Sequence, residues 1–286
     1  MTELLANPFA LDAIGRRGEE RRFEVTAEAI RAYAEATDDN AAAARTGRIA
    51  PPVFAILPVW ETIAPASRSV ASDEARRRVV HYEQDMILHR PIEVGMKLIS
   101  RATPVALLAR TNGTSLVIRT ETETVDGEPV NAQFVTEFFR GVHAGVSRGE
   151  GPPNHRLDET AKAGARLTEI RYPIADDQTT RYAAASGDFF EIHLDDDAAR
   201  AVGLPGRIVH GLCTMAFTGR AVLEAAGVDD PGAIARLAVR FSAPLRPGGT
   251  IATRIWALDR PHVFGFEALD SEGQLVIKDG RAELRA

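Results

Sequence analysis

Cysteine is almost missing from this chain: Cys213 is the only one in 286 residues. A single thiol closes no disulfide within the chain and builds no cysteine-ligated zinc site. A stapled secreted scaffold is therefore excluded, and a reducing, cytoplasmic setting is expected. Lysine is scarce as well. Of 34 basic residues only Lys97, Lys162 and Lys278 are not arginine, a skew that codon usage alone can produce. Against 40 acidic residues the formal net charge is -6, and the basic triplet Arg76-Arg77-Arg78 reads as a solvated loop or helix end. Nucleic acid is not an expected partner. Long apolar runs are missing too, since nothing approaches the ~18 residues of a membrane helix. The start MTELLANPF carries Glu3 and no basic n-region, and the chain ends Glu283-Leu284-Arg285-Ala286. Neither a secretory leader nor a peroxisomal tripeptide is expected.

What is present is a globular composition, 45% hydrophobic and 26% charged, in a length that suits two domains or two copies of one. The chain repeats itself once. Tyr33-Ala-Glu-Ala-Thr-Asp-Asp39 matches Tyr182-Ala-Ala-Ala-Ser-Gly-Asp188, and Gly47-Arg-Ile-Ala-Pro-Pro52 matches Gly206-Arg-Ile-Val-His-Gly211. Further on, Arg90-Pro-Ile-Glu-Val-Gly95 matches Ala243-Pro-Leu-Arg-Pro-Gly248. Three matches in the same order in both halves mark a duplication. Residues 144–165, rich in Gly, Pro and charge, read as a linker between one copy in 1–143 and the other in 166–286.

Each copy predicts the same order of elements. The second has a strand at 167–173, a short helix entered at Asp176 or Asp177 and stopped by Ser186-Gly187, and another capped by Asp195. A long helix over 211–226, apolar nearly all round, precedes strands at 234–242, 250–258, 262–269 and 274–283. The first follows the same plan, with a strand at 22–25, helices at 27–36 and 53–63, and strands at 79–88, 96–105, 115–125 and 129–141. Strands that succeed one another without helices between them cannot build a doubly wound parallel sheet. The expected class is α+β, two antiparallel sheets each wrapped around a central helix.

Chemistry concentrates in the second copy, where Ser186-Gly187-Asp188-Phe189-Phe190-Glu191-Ile192-His193 is followed by His210-Gly211 at the start of the long helix. Asp188 and His193 are five residues apart, about 140° around a continuous helix, so they converge only if the chain turns between them. Ser186-Gly187 and the helix start near Asp195 supply such a turn. A carboxylate and an imidazole facing one water can orient it and take its proton while it adds to an activated double bond. Burial beside Phe189, Phe190 and Ile192 would make the carboxylate more basic. Gly211 opens a helix whose first N–H groups are free and lie at the positive end of the dipole, and a glycine lets a carbonyl approach closely. One such donor aimed at a developing enolate oxygen is worth on the order of 3 kcal/mol. His210 is either a second acid or base or a hydrogen-bonding support. By spacing alone, an Asp and a His near a helix start are more often a cap and a solvated group.

These residues resemble the signature of the MaoC-like (R)-specific enoyl-CoA hydratases, a hot-dog-fold family whose pattern runs S-G-D-x-N-P-I-H and later H-G. The resemblance covers nearly the whole chain, with Val80-His-Tyr-Glu-Gln84 and Val239-Arg-Phe-Ser-Ala-Pro244 as further landmarks. It implies a double hot-dog fold with a degenerate first half and a catalytic second half. The implied reaction is reversible syn hydration of a trans-2-enoyl thioester to the (R)-3-hydroxyacyl thioester, with Asp188, His193 and Gly211 as the catalytic groups. The family's Asn and Pro are Phe190 and Glu191 here. No cofactor is implied beyond the coenzyme A or acyl carrier protein of the substrate. Their phosphates need local positive charge on an acidic protein, for which Arg207, Arg240 and Arg246 are candidates. Phe190, with Phe189, would narrow the pocket, and His210 lies against the substrate.

The repeat is an internal control. Asp39 stands opposite Asp188, but Ala44 stands opposite His193 and Pro52 opposite Gly211, so the first half is not expected to catalyse. Its Ala41 to Ala44 run reads as a site emptied for an acyl chain. There is no phosphate-loop, nucleophile-elbow or H-E-x-x-H motif, and His81, His89, His143, His155 and His262 show no metal-ligand spacing. Three alternatives stand: a hot-dog acyl-CoA thioesterase, a non-catalytic acyl-thioester-binding subunit of a heteromeric hydratase, and a hydratase for small branched or dicarboxylic acyl groups. Paired hot-dogs cover each other's sheet edges, which leaves a pseudo-dimeric monomer and a homodimer both open.

Overall fold

The computed structural model describes residues 8–163, 166–258 and 260–285. Residues 1–7, 164–165 and 286, on which the readings of the leader, the linker's end and the C-terminal tripeptide partly rest, lie outside the described residues. In the first half, β1 (Arg21–Glu24) leads into α1 (Ala27–Ala36), where the Thr26 hydroxyl accepts the Ala29 N–H. Next come α2 (Ala42–Arg45), a 3₁₀ stretch over Pro52–Val59, α3 (Trp60–Val70) and α4 (Asp73–Arg76). Four strands follow: β2 (Val79–Leu88), β3 (Lys97–Arg110), β4 (Gly113–Thr124) and β5 (Pro129–Arg140).

The second half repeats this order after a short α5 (Glu159–Ala163) in the linker. It holds β6 (Arg166–Pro173), α6 (Gln178–Ser186), α7 (Asp196–Ala201) and α8 (Gly211–Ala225). Then come β7 (Ile234–Phe241), β8 (Thr250–Ala257), β9 (Val263–Leu269) and β10 (Leu275–Leu284). Asp195 caps α7 by accepting the N–H groups of Asp197 and Ala198. The central helices of the two halves differ. No proline interrupts α8, whereas Pro58 and Pro65 each remove a helical donor in the first half. The helix expected at 53–63 is accordingly a 3₁₀ stretch that only becomes α-helical from Trp60.

The sheet corrects one expectation. The strands form one continuous antiparallel sheet of ten, in the order β1-β3-β4-β5-β2-β7-β10-β9-β8-β6. Replacing each second-half strand by its first-half counterpart makes that order a palindrome about the β2–β7 junction. The physical reason is edge pairing. Each half alone would expose the unpaired backbone of β2 or β7, and joining them from Glu83↔Arg240 to Ile87↔Arg236 satisfies both.

Side chains alternate across this seam. Gln84, Met86, Leu237 and Val239 are buried, and Leu237 touches α8 at Gly219. On the other face Arg236 makes a two-pronged contact with Asp85, at 3.0 and 2.8 Å, while Arg240 binds Glu83 and Asp279. His155 from the linker joins them, donating from Nδ1 to the Asp279 carbonyl and lying 3.4 Å from Glu83. The helices also meet at the junction. The hydroxyls of Tyr33 and Tyr182, equivalent residues of the two copies, are 3.1 Å apart, and Gln178 and Arg181 of α6 donate to the carbonyls of Ala36 and Glu35. One contiguous core runs through both halves.

The Asp85 side chain is only 1% exposed, so its charge depends on Arg236. Arg236→Met should cost about 3–5 kcal/mol of unfolding free energy in urea denaturation, because it leaves a buried carboxylate uncompensated. A loss below about 1 kcal/mol would contradict this account of the seam.

Candidate active site

The turn expected between Asp188 and His193 has a clear local origin. Gly187 ends α6 in the left-handed region at φ +78°, and a short 3₁₀ turn over Glu191–His193 follows. Asp188 N–H donates to Ser186 Oγ at 3.2 Å, and Asp188 Oδ1 accepts the Phe190 N–H at 3.2 Å. The backbone at position 190 thus holds the carboxylate whatever its side chain. That side chain points outward. Phe190 is 63% exposed, with its ring edge-on to His193 at 6.5 Å.

His193 and His210 are fixed by main-chain carbonyls. His193 Nδ1–H donates to Ile208 O at 2.8 Å, which leaves Nε2 as an acceptor, and His210 Nε2–H donates to Asp188 O at 3.0 Å. The two imidazoles stack at 3.8 Å with 24° between planes, and Tyr182 lies 4.8 Å behind His210. A column of rings therefore runs from Tyr33 at the junction through Tyr182, His210 and His193 to Phe190 at the surface. Donor atoms of Asp188, His193 and His210 fall within 4.8 Å of one another. Stacked rings carry their in-plane lone pairs side by side rather than converging, which suits a water between carboxylate and imidazole better than one metal ion held by both histidines.

Burial sets the proton preferences. It raises the Asp188 carboxyl from its ordinary 3.8, opposed by the charge of His193, and it lowers His193 from 6.5. His210 is pulled down to about 3 by burial and then by His193. Near neutral pH the set therefore holds a carboxylate with raised proton affinity beside two neutral imidazoles. His210 carries no exchangeable acid there, so of its two sequence-level readings the hydrogen-bonding support fits the geometry. Its buried Nδ1 has no partner.

Gly211 is the first residue of α8, directly after His210, and among the described residues nothing accepts its N–H. A Cβ at this position would lie 3.1 Å from the Phe241 ring, a tight contact that the glycine avoids. The arginine candidates divide. Arg207 lies on the loop that presents the Ile208 carbonyl, its N–H donating to Asp196 at 2.8 Å, and exposed Arg246 flanks the neighbouring Gly206. Arg240 does not join them. Its guanidinium is taken by Glu83 and Asp279 in the seam.

The first-half counterpart corrects a second expectation. Ala44 is fully buried in α2 and leaves no emptied site. A small solvent-facing cleft lies instead beside Asp39, Pro52, Gly219 and Arg220. Sequence reasoning also passed over Tyr182, Phe241 and Trp60. Tyr182 stands inside a repeated motif, Phe241 inside the landmark Val239–Pro244, and Trp60 is visible only when the central helices are aligned on Pro52 and Gly211.

Residues 159–270 match the MaoC-like domain, and residues 12–133 match the dehydratase domain region described as FAS1-like. The 3-hydroxyacyl-thioester dehydratase Y of Mycobacterium tuberculosis is 32% identical over 215 residues, covering 72% of either chain. The chain belongs to the MaoC-like dehydratase family. A probable enoyl-CoA hydratase 2 of Dictyostelium discoideum is a further relative, 26% identical over 71% of this chain and 69% of its own. Other family members are longer, and the chain spans about a quarter, 26%, of multifunctional relatives whose names include peroxisomal. Among solved structures, a MaoC-like dehydratase from Phytophthora capsici superposes with a TM-score of 0.80 at 20% identity, covering 98% of this chain and 96% of that one. A conserved M. tuberculosis protein described as a double hotdog fold gives 0.61 at 15% identity, covering 94% and 96%. The fold is the double hot-dog, and membership places the chain among hydratases and dehydratases of the enoyl-CoA hydratase type. No helix among the described residues is long and apolar enough to cross a membrane.

The proton preferences generate a pH dependence. A site that works with Asp188 ionised and His193 neutral must lose both protons, so kcat/KM should rise with pH along an acid limb displaced upward from that of an ordinary carboxylate, because burial raises Asp188. Rate measurements on an enoyl thioester from about pH 4 to 8 check this. A rate that does not fall on acidification over this range would contradict it.

Proposed function

We propose that this chain catalyses the reversible syn hydration of trans-2-enoyl thioesters to (R)-3-hydroxyacyl thioesters at one site, carried by residues 166–286. Residues 1–143 form the degenerate copy and 144–165 the linker. The observation that carries this reading is the gathering of Asp188, His193 and His210 within 4.8 Å of one another, with His193 Nδ1 engaged by the Ile208 carbonyl and Gly211 opening α8 directly after His210.

A water held by Asp188 and His193 adds its oxygen to C3 of the enoyl group. Its proton passes to Asp188 as the C2=C3 electrons move towards the thioester carbonyl. The Gly211 N–H, at the positive end of α8, stabilises the charge that develops on that oxygen. Asp188 then returns the proton to C2 on the same face, so the net change is H and OH across the double bond. The raised proton affinity of Asp188 suits a group that must both take and give a proton. His210 acts through its neighbours, tying the Asp188 main chain to the start of α8.

Coenzyme A or acyl carrier protein belongs to this reading as the thioester carrier, with Arg207 as the residue for its phosphates and with Phe190 at the mouth. A cytoplasmic setting and function as a pseudo-dimeric monomer or its homodimer complete it. Turnover of crotonyl-CoA, followed by loss of the enoyl chromophore, tests it. The wild type should hydrate this substrate and Asp188→Asn should lose roughly 10²- to 10⁴-fold in kcat. Near-normal activity in the variant would overturn the role of Asp188, and release of free thiol in place of hydration would point to a thioesterase.

A further inference from the structure

The two halves treat equivalent positions of their central helices in opposite ways. Trp60 stands as far beyond Pro52 as Gly219 stands beyond Gly211. In the degenerate half, Gly219 of α8 borders a small cleft that also touches Asp39 and Pro52, the counterparts of Asp188 and Gly211. At the other end of the pseudo-symmetric pair, Trp60 comes across from the first half to the catalytic copy. Its Cδ1 lies 4.0 Å from where a Cβ on Gly187 would be, next to Asp188. The indole is half-buried and packs on the common core, so it is held in place. The glycine at this position beside Asp39 is matched by an indole beside Gly187.

We infer that Trp60, supplied by the degenerate half, is the specificity wall of the catalytic site and restricts it to short-chain enoyl thioesters. The inference rests on the hydratase reading for the placement of the substrate. With the thioester carbonyl at Gly211 and C3 at Asp188 and His193, the acyl chain beyond C3 must leave past Asp188. There it meets Trp60 on the inner side. On the outer side it meets Phe189 and Phe190, which face solvent at 62% and 63% exposure and offer a long chain no burial. A short acyl group ends before this constriction, while each further methylene must displace the indole or lie in water.

The test compares wild type, Trp60→Gly and Trp60→Phe with crotonyl-CoA and trans-2-decenoyl-CoA. Calorimetric affinities for butyryl-CoA and decanoyl-CoA are measured alongside. Trp60→Gly should raise the decenoyl-to-crotonyl ratio of kcat/KM at least tenfold and move the affinity ratio in the same direction. Trp60→Phe, which keeps most of the apolar packing, should fall between and serves if the glycine variant does not fold. Ratios unchanged in a folded variant overturn the inference even where the wild type is active. If no protein turns over enoyl-CoA but the affinity ratio shifts, the wall stands and the hydratase reading fails.

Discussion

The edge pairing of β2 with β7 is the constraint from which the rest of this molecule follows. It removes the exposed edge that either half would carry alone and sets the two copies back to back about one junction. The same junction brings Tyr33 against Tyr182 and lays α6 on α1. Because strands on both sides alternate, one face of the seam is apolar and feeds the common core, and the other concentrates charge in Asp85–Arg236 and Glu83–Arg240–Asp279. Two of those carboxylates, Glu83 and Asp85, are nearly buried in the first half, which is stable in this form only with the second half's Arg240 and Arg236 in place.

The catalytic constellation is an extension of that junction. Tyr182 backs His210, His210 ties the Asp188 main chain to the helix start at Gly211, and His193 stacks on His210 with its Nε2 free. Duplication supplied the frame twice, with Asp188, His193 and Gly211 in one copy and Asp39, Ala44 and Pro52 at the equivalent positions of the other. Pro52 has no N–H to offer where Gly211 does, and Ala44 has no imidazole. The central helix of the first half carries Pro58, Pro65 and Trp60, whereas no proline interrupts α8.

Much of this was legible in the sequence because the signals were local. The helix end at Gly187, the Asp195 cap, the uninterrupted apolar run after Gly211 and the strand order all depend on nearby residues. The three candidate positions stood out because the second copy holds Asp188, His193 and Gly211 where the first replaces two of them by Ala44 and Pro52. What could not be read was long-range. Arg240 resembled a free surface cation until β2 delivered Glu83 and β10 delivered Asp279. Small residues at 41–44 suggested space, yet a short helix fills it, and the true opening needed Gly219 from the opposite half. Two predicted sheets became one for the same reason, since edge pairing between copies leaves no mark on the apolar alternation within either.

The central claim is that Asp188, His193 and Gly211 add water across an enoyl thioester from one face. Product analysis after incubation with crotonyl-CoA in deuterium oxide tests it most directly. The account predicts (R)-3-hydroxybutyryl-CoA with one deuterium at C2, on the face that received the hydroxyl. The (S) product, deuterium on the opposite face, or free coenzyme A without hydration would contradict it.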